Sequence, residues 1–301
     1  MPHIVPAFEF RRRARLAMKP VMSVLVVVML IAMLPSLGSS VITMMTGGDL
    51  TAVIEPFYTQ EGLAAMMDAD AAATDQLMAN LAAFLSEKWP FIALTSAITL
   101  LLGPALTLGF DHTLLKALRK EEIAYSTVLA RLPIFFKAIG LTLMIALRVF
   151  LWMLPGWGVS LLGAVLLVFE PTLGVLVMVA AMALMFVLMI RAMYRYRLAT
   201  YVMADMPETG INAAIRRSKE IMKGRKMELF SLELSFIGWR LLVSFGQTLL
   251  LGMLGGVLGA ALGMFAAFLL QMYMYMATAA FYQEYGVSPV NFPHQAQEEL
   301  L

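Results

Sequence analysis

Residues 229–282 read LFSLELSFIGWRLLVSFGQTLLLGMLGGVLGAALGMFAAFLLQMYMYMATAAFY, a run of 54 residues whose only charges are Glu233 and Arg240. A helix needs about 20 apolar residues to cross a bilayer. The run is too long for one crossing and right for two, hinged near the glycines between 252 and 259. Gly252, Gly255, Gly256, Gly259 and Gly263 contain three overlapping Gly-x-x-x-Gly spacings, the pattern that lets membrane helices approach closely. Packing and turning account for all five without a ligand.

Working outward from this pair, four further runs qualify. Val21–Met45 is uncharged for 25 residues, Phe91–Phe110 for 20, Val149–Phe169 for 21 and Thr172–Ile190 for 19. The expected architecture is all-α: a six-span transmembrane helical bundle with spans at about 21–45, 91–110, 149–169, 172–190, 229–253 and 258–282. An outer loop, 46–90, and inner loops, 111–148 and 191–228, connect them, with tails at 1–20 and 283–301. Composition agrees: 61% of residues are hydrophobic and 14% charged, against about 45–50% and 25% in soluble domains. A soluble enzyme, a nucleic-acid binder and a disordered chain are excluded as classes. The first run follows Arg11, Arg12, Arg13, Arg15 and Lys19 as a secretory signal would. Its apolar part is too long and no clean cleavage site follows, so it reads as an uncleaved anchor.

Lys and Arg set the orientation. Residues 46–90 hold one basic residue, Lys88, and seven acidic ones, whereas 111–148 hold six basic residues and 191–228 hold nine. Of 22 basic residues, 20 lie in segments on one side. The reading is a bacterial plasma (inner) membrane protein, multi-pass, with N- and C-termini cytoplasmic and the acidic loop outside.

The connecting segments carry their own patterns. Gly62–Trp89 has helical apolar spacing (Leu63, Met66, Met67, Leu77, Met78, Leu81) and reads as an amphipathic helix ended by Pro90. It either caps the outer face or docks a partner. Arg131–Leu147 reads as a helix in the inner interface, or else as part of one kinked span from Ala138 to Val168 that would bring Arg148 into the bilayer. In either case Pro155-Gly156-Trp157-Gly158 is expected to interrupt a helix. Pro207 follows Asp205-Met206 in a turn, and a basic amphipathic helix runs from Ile211 to Lys223, stopped by Gly224. Its apolar side is Ala214, Ile215, Ser218 and Met222. Such a helix is expected to lie on anionic lipid.

The wording of this region identifies a family. Tyr196–Pro207, Ala214–Lys219, Met222–Lys226 and Leu229–Trp239 together resemble a bacterial integral membrane family catalogued as domain of unknown function 975. The match is specific over about residues 194–242 and weaker toward Phe281-Tyr282, where the family tends to carry a Pro-Tyr pair; here Met272 precedes Tyr273. The resemblance implies a multi-span plasma-membrane protein and no activity. It places the family motif on Asp205, Pro207, Ser218, Gly224, Lys226, Ser235, Gly238 and Trp239. Gly224 is expected as a helix stop and Gly238 as a close-packing position.

Ionisable residues within a span are candidate functional groups. Glu233 and Arg240 are seven apart and so share a helix face, with Ser244 and Gln247 continuing the stripe. Either this stripe lines a solute or ion path or it fixes helix packing. The 26 methionines are scattered as core fillers. There are no cysteines, and the three histidines (His3, His112 and His294) form no pair, so no metal site and no cofactor is expected. Phosphate-loop, zinc-protease and serine-hydrolase motifs are absent from the sequence. The leading expectation is a non-enzymatic scaffold or accessory subunit of an envelope or export system, in contact with the lipid bilayer, with anionic lipid at the cytoplasmic face and with a membrane-protein partner, not nucleic acid. The alternative is a small-solute or ion transporter or channel with a polar path along the fifth span; a lipid enzyme ranks third.

Overall fold

The computed structural model describes residues 5–46 and 71–286. Among them every regular element is helical: α1 (Ala7–Met18), a single 3-10 turn (Lys19–Val21), α2 (Met22–Thr46), α3 (Ala71–Leu118), a 3-10 stretch (Tyr125–Ile134), α4 (Phe135–Phe169), α5 (Pro171–Tyr196), α6 (Ala199–Asp205), α7 (Ile211–Ile221), α8 (Lys226–Leu234), α9 (Ile237–Leu254) and α10 (Gly256–Gly286). Among the described residues six helical stretches are long and apolar enough to cross a membrane: Ala7–Thr43, Met78–Leu118, Tyr125–Phe169, Pro171–Asp205, Lys226–Leu254 and Leu258–Gly286. The chain divides into two compact units, Ile31–Pro104 and a larger one comprising Met1–Leu30 with Ala105–Leu301. The smaller unit is fastened by Ser39, whose hydroxyl donates to the Thr95 carbonyl at 3.1 Å and lies 2.7 Å from Thr99 Oγ1.

Three sequence expectations are corrected here. Pro90 does not end a helix, because α3 runs unbroken through Pro90 and Pro104. The part of the expected outer helix at 62–70 lies outside the described residues. Pro155-Gly156 does not interrupt α4 either, and residues 135–147 belong to the same helix as the third span. A proline removes one hydrogen bond from a helix, but in lipid a broken helix would strand several polar groups, so the helix continues. Gly156 serves close packing instead: a Cβ there would sit 2.1 Å from Met185 Cγ. Finally, the fifth span is not one helix. It is divided at Ser235-Phe236 into α8 and α9.

The larger unit is ordered around one end of its helices. There α6 is buried along nearly its whole length, and the last turns of α10, from Met276 to Tyr282, are buried as well. Phe10 of α1 packs edge-on and tilted against Tyr285 and Phe281. The apolar side of α7 (Ala214, Ile215, Ser218, Met222) is buried in protein. That corrects the expectation that this face lies on lipid, and leaves the basic side of the helix outward. Toward the opposite end, α4 pairs with α5 and α9 pairs with α10, and large apolar side chains are left uncovered: Val168 is 80% exposed and Met253 82%.

The α9/α10 hairpin shows how sequence shapes a pair. Gly255 and Gly256 have φ of +67° and +39° and make the turn, a backbone region glycine enters without a Cβ penalty. Gly259 then lies against the backbone of α9, where a Cβ would be 2.4 Å from the Leu250 carbonyl oxygen. Gly259→Ala should therefore destabilise the protein by about 1–3 kcal/mol through overpacking. Gly252→Ala, with nothing within 4 Å of the added carbon, should be neutral. Thermal unfolding of both variants in one detergent tests this; equal melting temperatures would remove close approach as the hairpin's organising feature.

Candidate functional site

The site grows from α6. Seven residues are too few for an isolated helix in water, so this one exists because its neighbours bury it. Its C-terminal end, where carbonyls lack helical partners and the helix dipole is negative, collects three cations. Arg119 Nη2 lies 2.7 Å from Asp205 Oδ1. Arg131 Nε donates to the Ala204 carbonyl at 3.0 Å, and Lys137 Nζ donates to the Pro207 carbonyl at 3.0 Å. Arg131 also reaches His112 Nδ1 at 3.1 Å. A guanidinium only donates, so Nδ1 accepts and the ring proton sits on Nε2.

Aromatic hydroxyls complete the arrangement. Tyr282 donates to the second Asp205 oxygen at 3.2 Å, and its ring stacks on Tyr201, 5.9 Å between centroids. Tyr201 donates to the Tyr275 carbonyl at 3.3 Å. Asp111 of α3, nearly inaccessible at 4% exposure, lies beside Thr200 of α6. This network joins α3, α6 and α10.

Beside it, α8, α9 and α10 border a polar crevice. Its inner part, about 100 Å³, is lined by Arg197, Glu233, Arg240, Gln271, Met274 and Thr278. The adjoining part, about 170 Å³, shares Arg240, Gln271 and Met274 and adds Ser244 and Gln247. The four stripe residues therefore line one crevice although Glu233 and Arg240 stand on different helices. The turn at Ser235-Phe236 keeps both on the same side. Glu233 accepts from the Tyr194 hydroxyl and pairs with Arg197 Nε at 3.7 Å. Arg240 Nε lies 3.4 Å from Met274 Sδ and has no carboxylate within ion-pair distance among the described residues.

A family model described as a protein of unknown function, DUF975, matches residues 75–286. The chain belongs to this family. Comparison with curated proteins and with solved structures gives no match.

Of the eight positions that the resemblance assigns to the motif in this DUF975 chain, four (Asp205, Pro207, Ser218 and Ser235) hold elements together at this end of the bundle. Asp205 and Pro207 receive the cations described above. Ser218 is fully buried and donates to the Arg195 carbonyl at 3.2 Å, fixing α7 to α5. Gly224 has φ of +82° and open space around it, so its role is conformational. Ser235 caps α8 by donating to the Leu232 carbonyl at 2.6 Å, and its own carbonyl accepts from Arg11 at 3.3 Å. Lys226 opens α8. Gly238 contradicts the close-packing expectation, since nothing lies within 4 Å of where its Cβ would be. Trp239 beside it is 48% exposed, as a membrane-interface aromatic would be.

Sequence reasoning missed Arg119, Tyr201, Tyr282 and Gln271. Arg119, Tyr201 and Tyr282 meet partners 74 or more positions away, and Gln271 only lines the crevice. The basic excess of the 111–148 segment was a signal for Arg119, and the Tyr196–Pro207 wording one for Tyr201.

Asp205→Ala strands the Arg119 guanidinium and the Tyr282 hydroxyl. Leaving such groups unsatisfied costs roughly 1–3 kcal/mol. In a double-mutant cycle Asp205→Ala and Arg119→Ala should couple by about 1–2 kcal/mol in unfolding free energy. Simple additivity of the two would remove the pair from the account.

Proposed function

We propose that this protein is a non-enzymatic scaffold or accessory subunit of an envelope or export system in a bacterial plasma membrane, with both ends of the chain on the cytoplasmic side. The observation that carries the reading is the uneven packing of the larger unit. One end is a dense core of short helices. The other consists of the α4/α5 and α9/α10 hairpins, each closely packed within itself and otherwise lined by uncovered apolar side chains. A helix uniformly apolar in lipid gains little by merely meeting another. Surfaces of this kind serve lipid or the helices of a second membrane protein. The orientation rests on the distribution of Lys and Arg.

The α9/α10 crevice favours a second reading, a solute or ion path along the fifth span. Arg240, with its sulfur neighbour and no carboxylate within ion-pair distance among the described residues, is the group such a path would use.

One pair of measurements separates the two. Purified in mild detergent from its native membrane, a scaffold brings down a membrane partner in fixed stoichiometry, and the protein alone in liposomes passes no more solute or current than empty vesicles. A transporter gives flux alone, and Arg240→Ala abolishes it at unchanged protein level. Flux that survives Arg240→Ala counts against the crevice as the path.

A further inference from the structure

A second group of cations, remote from Asp205 and from the Arg240 crevice, gathers where α4, α5, α7 and α8 meet. Arg148 of α4 donates to Asn212 Oδ1 at 2.7 Å. Arg195 of α5 lies over the Trp152 ring, 5.6 Å from its centroid. Lys219 of α7 is partly buried, and that burial, followed by the positive charges of Arg148 and Arg195, draws its ammonium below the usual lysine range. Lys226 of α8 lies within the fields of Arg195 and Arg191.

Ser218, the residue before Lys219, is tied to the backbone of Arg195 itself. Helical spacing puts Arg148 with Trp152, and Arg191 with Arg195, on shared faces. The carboxylates nearest in sequence are committed elsewhere: Glu233 to Arg197 and Tyr194, Glu220 to Arg217, and Glu228 to Tyr285. Among the described residues Arg148, Arg191, Arg195, Lys219 and Lys226 form no ion pair with a carboxylate. Five like charges gathered on one surface without a carboxylate paired to them favour an anion there.

The chemistry of that anion follows from what surrounds it. Arg148 begins the apolar run of α4, and Arg191 ends that of α5. Beyond them the same two helices present uncovered Leu151, Leu154, Val187 and Leu184. An acidic peptide or a nucleic acid would answer the charge and leave this apolar surface bare. A phosphate headgroup with acyl chains answers both, and basic pockets between membrane helices recognise such lipids.

We infer that Arg148, Arg191, Arg195, Lys219 and Lys226 form a seat for the headgroup of an anionic membrane phospholipid, best matched by a lipid bearing two phosphates, whose chains run along the α4/α5 hairpin. This seat is independent of the proposed scaffold role.

Native mass spectrometry of the full chain in a neutral detergent tests it, with diphosphatidylglycerol, phosphatidylcholine and inorganic pyrophosphate as separate probes. Each basic residue near a lipid surface contributes about fivefold to affinity. Diphosphatidylglycerol should bind at least about tenfold more tightly than phosphatidylcholine, and the triple variant Arg148→Gln, Lys219→Gln, Lys226→Gln should lose at least about tenfold. The charge-matched control Lys120→Gln, Arg216→Gln, Lys223→Gln, drawn from cations outside the cluster, should stay within about twofold. If the triple variant is not monodisperse, Lys219→Gln and Lys226→Gln singly should each weaken binding by about threefold or more. Equal losses in the cluster and control variants would overturn the inference, because the effect would then be diffuse charge. So would lack of preference over phosphatidylcholine. Pyrophosphate binding as tightly as the lipid would overturn it too, by making the occupant a free anion.

Discussion

A seven-residue helix ending in a carboxylate, held away from water, is the constraint that the larger unit of the chain satisfies. Neither α6 nor Asp205 is tolerable there alone. The helix is too short to form unaided, and a carboxylate largely withdrawn from water requires partners. Arg119, Arg131 and Lys137 supply charge to its C-terminal end, and Tyr282 supplies a hydroxyl. These groups come from the turn that follows α3, the 3-10 stretch, α4 and α10, so satisfying one short helix fixes the relative placement of four other elements. The many contacts of Tyr201, Val202 and Met203 follow from the same burial.

This constraint acts at one end only. From the core outward, α4 with α5 and α9 with α10 continue as separate closely packed pairs, and small residues set each approach: Gly156 and Gly163 in the first, Gly259 and Gly263 in the second. The pairs keep their apolar side chains outward. The polar chemistry of the unit is correspondingly concentrated near the core, in the Asp205 network, the Glu233–Arg197 pair and the Arg148–Lys219 cluster. The proposed scaffold role and the proposed lipid seat occupy different surfaces of this layout, the first on the bare hairpin faces and the second at their basic rim.

Hydropathy and charge carried the fold a long way. Runs of about 20 apolar residues located six helices because the bilayer leaves no alternative for backbone polar groups. Periodicity also placed Glu233, Arg240, Ser244 and Gln247 on one side. Where the sequence reading departed from the structure, the cause is local rules meeting tertiary context. Pro90 and Pro155 are breakers in isolation and are carried through by strong flanking helix. Ser235-Phe236 gives no strong break signal yet divides a span. The basic helix at Ile211 has a face equally suited to lipid or protein, and periodicity alone does not distinguish these; the buried Ser218 hydroxyl, bonded to Arg195, decides for protein. The network around Asp205 was legible only as a motif, because its partners Arg119 and Tyr282 are 86 and 77 positions away in the sequence.

The most direct test of a core at one end with independent hairpins beyond it is a pair of distance distributions from double electron–electron resonance. The chain contains no cysteine, so two introduced cysteines label it without interference. Labels at Arg12 and Lys223, both exposed beside the core, should give a narrow distribution. Labels at Val168 and Met253, at the far ends of the two hairpins, should give a broad one in detergent or lipid without a partner. A narrow distribution for Val168 and Met253 would contradict the account, because the hairpins would then be packed into a closed bundle.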